Sequence, residues 1–311
     1  MGKPQRLVFG ETLVELGAEN DRIVVLDADV SSSTQTKHFA ATYPERFFNF
    51  GVAEGNMVSA AAGFATAGYI PFVSTFAFLI SMRAGDPVRA HVASPQLNVK
   101  LAGGYAGLSD FADGASHQSV EDLAVMRAIP HMTVIVPSDI TETQMAVRAV
   151  VEHEGPVFLR LSRAEVTDDY GPDHPFEIGK GVVLRDGSDV TIVGTGPMVK
   201  MASEAAESLA DNGIDARVVD MHTLKPLDDD LLARCAEETG AIVTVEEHNI
   251  YGGLGSAVCE SVCESRPVPV LRCGIPDRFG ESGPRPEILA RAGLTAGHVC
   301  ELAQRAVAAK R

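Results

Sequence analysis

Short apolar runs recur along this chain, each closing on polar residues or glycine and followed by a helical pattern. RIVVLDADV, PFVSTF, NVKLAGGYAG and HMTVIVPSD read as buried strands. QRLVFGETLVELGAEN, MVSAAAGFATAGY and SVEDLAVMRAI read as helices. Strands that are apolar throughout must be covered on both faces, so this alternation predicts a parallel sheet between two helical layers. A stretch rich in Asp, Pro and Gly, VTDDYGPDHPFEIGK, reads as a linker. The alternation then restarts. DVTIVGTGPM, DARVVDMHT, GAIVTVEEH and VPVLRCGI are strands, and VKMASEAAESLADNG, LDDDLLARCAEETG and GLGSAVCESVCES are helices. A length of 311 residues suits two domains. The expected architecture is α/β, with two doubly wound domains. Residues 1–168 form the first, 169–184 the linker, and 185–311 a smaller mixed-sheet domain.

The formal net charge is −16, which excludes a nucleic-acid partner that needs clustered Lys and Arg. No apolar run reaches the roughly 18 residues of a membrane span. The opening MGKPQRLVFG lacks a signal-peptide core, and Arg6 stands where a myristoylation site needs Ser or Thr. A soluble, cytoplasmic protein is expected. Five cysteines, Cys235, Cys259, Cys263, Cys273 and Cys300, make an odd number and read as core thiols rather than a disulfide or metal framework.

Several segments carry candidate chemistry. FFNFGVAEGNMVSAAAGFATAG holds one acid, Glu54, between an apolar run and a helix of small residues, where a ligand could bury it. VTIVGTGPMVKMA places Gly194 and Gly196 after a strand, and Asp220 ends the next strand. Val199 stands where a dinucleotide fingerprint needs a third glycine, so the reading is a tight strand-to-helix turn. In DFADGASHQ, Asp113 and His117 sit in a Gly-rich loop with Asp110 and Ser116. They could move protons or hold hydroxyls, or Ser116 could cap the following helix while His117 lines the turn. FLRLSR places Arg160 and Arg163 after a strand, where either could bind an anion bidentately or stay solvated. No G-x-S-x-G elbow and no G-x-x-x-x-G-K loop occurs. VEEHNIYGGLGS, with Glu246, Glu247 and His248, reads as a structural and interface segment.

Taken in order, LDADVSSST, FNFGVAEGN, PFVSTFAF, DGASHQSVEDLAVMRAIPHMTVIVPSD, GPVFLRLSR, TVEEHNIYGGLGSAV and GIPDRFGESG resemble the C-terminal half of transketolase along nearly the whole chain. The resemblance implies a pyrimidine-binding domain, a transketolase C-terminal domain and thiamine diphosphate as cofactor. In that family the glutamate aligned with Glu54 hydrogen-bonds N1′ of the aminopyrimidine and favours the imino tautomer that takes the thiazolium C2 proton. Such a role needs a buried acid with raised proton affinity. By the same resemblance, Asp29, Phe76, Leu79 and Tyr105 border the cofactor, with Phe78 beside Leu79. Asp113 and His117 contact substrate hydroxyls and shuttle protons, and Arg6, Ser33 and Arg163 hold a sugar phosphate. Gly55 and Tyr105 depart from the family, which commonly has His at both places.

The family binds the diphosphate and Mg²⁺ through a G-D-G…N segment of a separate N-terminal domain. The nearest string here, RDGSD at Arg185–Asp189, lies in the other domain, so no metal ligand is assigned to this chain. The expectation is a split transketolase. A partner subunit carries the diphosphate-binding half and the Mg²⁺ site, and two pairs assemble into a heterotetramer. The reaction would be two-carbon ketol transfer from a ketose to an aldose. The alternatives are the β subunit of a 2-oxoacid dehydrogenase's decarboxylating component and a non-catalytic scaffold subunit. DGASHQ favours transketolase over the first, and the retained Glu54, Asp113, His117 and Arg163 speak against the second.

Overall fold

The structure, a computed structural model, describes residues 2–310. The first half contributes strands β1 (Lys3–Pro4), β2 (Ile23–Asp27), β3 (Phe47–Asn49), β4 (Ile70–Phe76), β5 (Lys100–Gly104), β6 (Thr133–Ile135), β7 (Val157–Arg160) and β8 (Glu165–Val166). The second contributes β9 (Val182–Arg185), β10 (Val190–Gly194), β11 (Ala216–Asp220), β12 (Thr223–Lys225), β13 (Ile242–Asn249) and β14 (Val270–Ile275). Seven strands form one sheet in the order β12-β6-β7-β5-β4-β2-β3, and five form another in the order β14-β13-β10-β11-β9. β2 to β7 pair in parallel, while β12 and β9 join their sheets antiparallel. β1 and β8 form a separate antiparallel ribbon.

The period-two side-chain alternation of a strand explains the two apolar layers. Val25 and Phe72 face the helices Gln5–Glu19 and Ile140–Glu152, packing on Phe9, Leu13, Ala146 and Val150. Val24, Leu26 and Val73 face the helix Glu54–Thr66, packing with Met57, Val58 and Ala61. This second cluster continues without a break into Met221, Leu231, Ile242 and Val262 of the second half.

Several elements escaped the sequence reading. The helix Ile140–Glu152 carried a legible start, because Asp139 accepts from the Glu142 N–H at 2.7 Å as an N-cap. The helices Arg285–Arg291 and Ala296–Ala308 close the second layer. β9 begins at Val182, inside the stretch read as linker. The thiols also divide. Cys235 and Cys273 are buried, but Cys259 and Cys300 are only half-buried and Cys263 is exposed. The expectation of core packing therefore holds for two of them.

Buried polar groups fasten the halves together. Arg160 donates to both oxygens of Asp122, at 2.7 and 3.1 Å, and to the carbonyls of Ser119 and Glu247. Glu247 accepts from the Leu108 N–H at 2.8 Å and from Arg285 at 2.9 Å. Gly107 lies against this segment with φ +62°, and a Cβ there would sit 2.7 Å from the Glu247 carbonyl oxygen. Any side chain would push the loop off its partner.

At a second seam, the Ser138 hydroxyl lies 2.8 Å from Glu142 and 2.8 Å from Asp220, and Tyr170 donates to Asp220 at 2.6 Å. One hydroxyl hydrogen cannot serve two carboxylates, so the cluster retains a proton. Burial accordingly pushes Glu142 up to about 7 and Asp220 well above its ordinary value.

Two predictions follow from these seams. Asp122→Ala strands the Arg160 charge in a site where the two side chains are 0% and 5% exposed. It should cost roughly 3–5 kcal/mol in urea unfolding; a loss below about 1 kcal/mol would show that water compensates the guanidinium. Glu142 holds its proton in the folded chain above the ordinary value of 4.5. Its stabilising contribution is therefore complete below that value and is lost as pH rises through about 7. Glu142→Gln should flatten the decline of the urea midpoint across this window, and an equally steep decline in the variant would contradict the assignment.

Candidate active site

β2 and β4 are neighbours, yet β3 and β5 leave that pair in opposite directions. The sheet therefore reverses its winding between β2 and β4, and a crevice opens outside their carboxyl ends. Most of the residues singled out in the sequence gather at this edge.

Asp27, the last residue of β2, builds the first wall. Its carboxylate accepts from the Val30 N–H at 2.7 Å and from the Thr34 and Thr36 hydroxyls at 3.0 and 2.9 Å. Burial raises its pKa, and these donors oppose the rise. The pinned loop presents the Ser33 carbonyl to Arg6, which donates to it at 2.9 Å. Asp29 adopts φ +66° and accepts from Asn49 at 3.0 Å. Non-glycine residues in that region are uncommon and concentrate at functional sites.

β4 ends at Phe76, level with Gly104 of β5. Tyr105 follows at φ +61°, and its ring centroid lies 4.4 Å from that of Phe76. Leu79, Val30 and Phe78 complete an apolar cluster around the two rings. Arg6 donates to the Tyr105 hydroxyl at 2.8 Å. The guanidinium carbons of Arg6 and Arg163 lie 5.6 and 5.1 Å from the centroid of the Tyr105 ring. Arg163 forms an ion pair with Asp110, whose side chain is fully buried. Burial raises the Asp110 pKa and Arg163 lowers it.

The His117 ring makes edge-to-face contacts with Phe76 and Phe78, with centroids 5.6 and 5.9 Å away, and shares a hydrogen bond with the Ser116 hydroxyl at 2.9 Å. Asp113 is exposed and precedes the 3₁₀ turn Gly114–Ser116. The two share a loop, but the hydrogen bond of His117 goes to Ser116. Ser116 caps no helix, because the next one starts at Asp122 with Glu121 before it.

Glu54 is the first residue of its helix, where the dipole favours an acid. Its side chain is 1% exposed. Among the described residues its hydrogen-bond partner is Arg83, at 3.4 Å, and Arg83 is itself 57% exposed. Arg83 ends the π-helical turn Leu79–Arg83.

Three residues that matter here were missed. Asp27 and Arg83 had no motif of their own, and Asp110 was noted only as a polar neighbour. An Asp followed by a run of Ser and Thr was a legible turn signal for Asp27. Arg83 and Asp110 acquire their partners only through folding. Two other sequence candidates lie elsewhere. Arg160 belongs to the buried seam with Asp122. Gly196 takes φ +57° and donates to the Val136 carbonyl at 3.2 Å, so the GTG turn packs on the first sheet's loops. Glu246 accepts from Leu254 and Gly255 N–H groups, and His248, fully buried, has its pKa lowered to about 4 by burial. Both are structural.

Comparison with known proteins agrees with this geometry. The pyrimidine-binding domain of transketolase matches residues 3–168, and the transketolase C-terminal domain matches 179–299. A chain of Methanocaldococcus jannaschii, provisionally described as a transketolase C-terminal section, is 48% identical over 94% of this chain and 92% of its own. A 6-deoxy-6-sulfo-D-fructose transketolase subunit of Clostridium sp. (strain MSTE9) is 42% identical over 96% of this chain and 92% of its own. A solved structure described as a split gene transketolase, an inactive β4 tetramer, superposes with a TM-score of 0.92 at 50% identity, each chain covered completely. Matched through both domains in this order, the chain belongs to the transketolase family, whose members generally use thiamine diphosphate.

Proposed function

We propose that the chain is the pyrimidine-side subunit of a thiamine diphosphate-dependent transketolase that moves a two-carbon ketol unit from a ketose to an aldose. The observation that carries this reading is Glu54: a carboxylate 1% exposed, at a helix start, holding one long contact to Arg83. A buried acid without a close partner is costly unless a ligand supplies one.

The residues at this edge fit the cofactor's aminopyrimidine end. Glu54 would meet a ring nitrogen, and Phe76 and Leu79 would offer flat and apolar packing. The cofactor supplies the electron sink for cleavage next to a carbonyl. The chain's own residues do the rest. Glu54 holds a proton at the pyrimidine edge. His117, kept in place by Ser116 and the Phe76 and Phe78 edges, moves protons at the substrate. Asp113, on the same loop, meets substrate hydroxyls, and Asp29 borders the cofactor end. Arg6, the Ser33 loop and Arg163 orient the far end of the sugar. Buried apolar walls around Phe76 and Tyr105 exclude water from the reacting carbons.

A partner subunit would hold the diphosphate and Mg²⁺ and close the crevice, in a heterotetramer of two pairs. The likeness to a split-gene chain whose β4 tetramer is described as inactive supports the need for that partner.

The test is ketol transfer by the chain assembled with its partner, with thiamine diphosphate and Mg²⁺, across phosphorylated and unphosphorylated ketoses. Turnover should require both chains. Glu54→Ala should lower kcat by at least ~10²-fold while the assembly still elutes at its normal size. Undiminished turnover in that variant would sink the assignment.

A further inference from the structure

We propose that the far end of the crevice, where Arg6, Tyr105, Asp110 and Arg163 meet, selects a ketose whose terminal group carries one negative charge, a sulfonate, over one ending in a phosphate dianion. The identity of the ketose end rests on the transketolase reading; the charge preference rests on these four side chains.

Arg163 is not a free cation. Its guanidinium is paired with Asp110, which is fully buried. Among the described residues the second oxygen of Asp110, Oδ2, is buried without a hydrogen-bond partner. Arg6 has no carboxylate partner among the described residues; it donates to the Ser33 carbonyl and the Tyr105 hydroxyl. Two guanidinium groups against one carboxylate leave a single positive charge at this end. A phosphate monoester brings a charge of about −1.5 to −2 near neutral pH, and a sulfonate brings one. The dianion would approach a buried acid without enough cation to offset it, and a repulsive element of this kind sets specificity as firmly as an attractive one. On the same loop Asp113 raises the proton affinity of Asp110 and His117 lowers it, so the loop adds no net cation to offset a dianion.

Tyr105 completes the subsite. Its oxygen accepts from Arg6, an obligate donor, so the phenolic hydrogen remains available to a ligand oxygen. The ring is clamped by Phe76 at 4.4 Å and flanked by Arg163 at 5.1 Å, which fixes the position of the phenol oxygen. A phenol donates one hydrogen bond and adds no positive charge. The Tyr105 O–H and the N–H groups of the two arginines together suit the three oxygens of a tetrahedral monoanion.

Binding to the partner-assembled, cofactor-loaded enzyme tests this directly. The probes are three ketoses alike at the reacting end: fructose, its 6-sulfonate analogue and fructose 6-phosphate, each titrated calorimetrically. The sulfonate should bind at least ~10-fold tighter than the phosphate, and tighter than fructose. Asp110→Asn removes the opposing charge and should narrow the sulfonate-to-phosphate ratio by about tenfold. Tyr105→Phe keeps the ring and should weaken the sulfonate alone by roughly 5–10-fold. The wild-type series and Tyr105→Phe decide the matter even if Asp110→Asn does not fold. Phosphate binding as tight as sulfonate binding, or no sulfonate binding, overturns the proposal. The expected binding order without any ketol transfer would refute the reaction and leave the charge preference standing.

Discussion

Everything functional in this chain depends on the parallel pairing of β2 with β4. Parallel strands place all their carboxyl ends on one edge, and the reversal of winding between these two prevents a crossover helix from covering that edge. Asp27 and Asp29, Phe76 and Tyr105 are brought together by this register, because Asp27 lies opposite Ser74 and Phe76 opposite Gly104. The helix of Glu54 crosses from β3 to β4 and so starts beside the same opening.

The crevice is held rigid by interactions that are expensive to break. Asp27 pins its loop through a backbone amide and two hydroxyls in a fully buried site. The loop after β5 is anchored on the second half of the chain through Gly107 and Leu108 against Glu247. β12, which follows β11, pairs with β6 of the first sheet, so the second sheet's connections complete the first. The two halves therefore share a continuous apolar cluster, and the second half anchors the loop after β5 that carries Tyr105.

Two of the five non-glycine residues with positive φ among the described residues border the crevice. Asp29 and Tyr105 both take left-handed conformations, each at the first or second residue beyond a strand end. Tertiary contacts sustain them: Asn49 on Asp29, and Phe76 and Arg6 on Tyr105. A side chain locked in this way is pre-organised, which is the condition for selective recognition of a ligand.

The sequence by itself determined the fold class and singled out the residues that the fold gathers at one edge of the first sheet. Uniformly apolar runs such as IVVLD and IPFVSTF demand cover on both faces, and a lone carboxylate between the apolar run and the small-residue helix of FNFGVAEGN marked a place where a ligand could bury it. The ordered motifs located the residues of the crevice, because strand ends are readable from where apolar runs stop. Tertiary structure alone decided which charges meet. The two arginines of FLRLSR are indistinguishable in the sequence, yet one is buried against Asp122 while the other lies over Tyr105 against Asp110. Asp110, Arg83 and the Ser138–Glu142–Asp220 cluster were equally silent. Ion pairs and shared protons depend on distances between residues far apart in the chain, and hydrophobic periodicity carries no information about those distances.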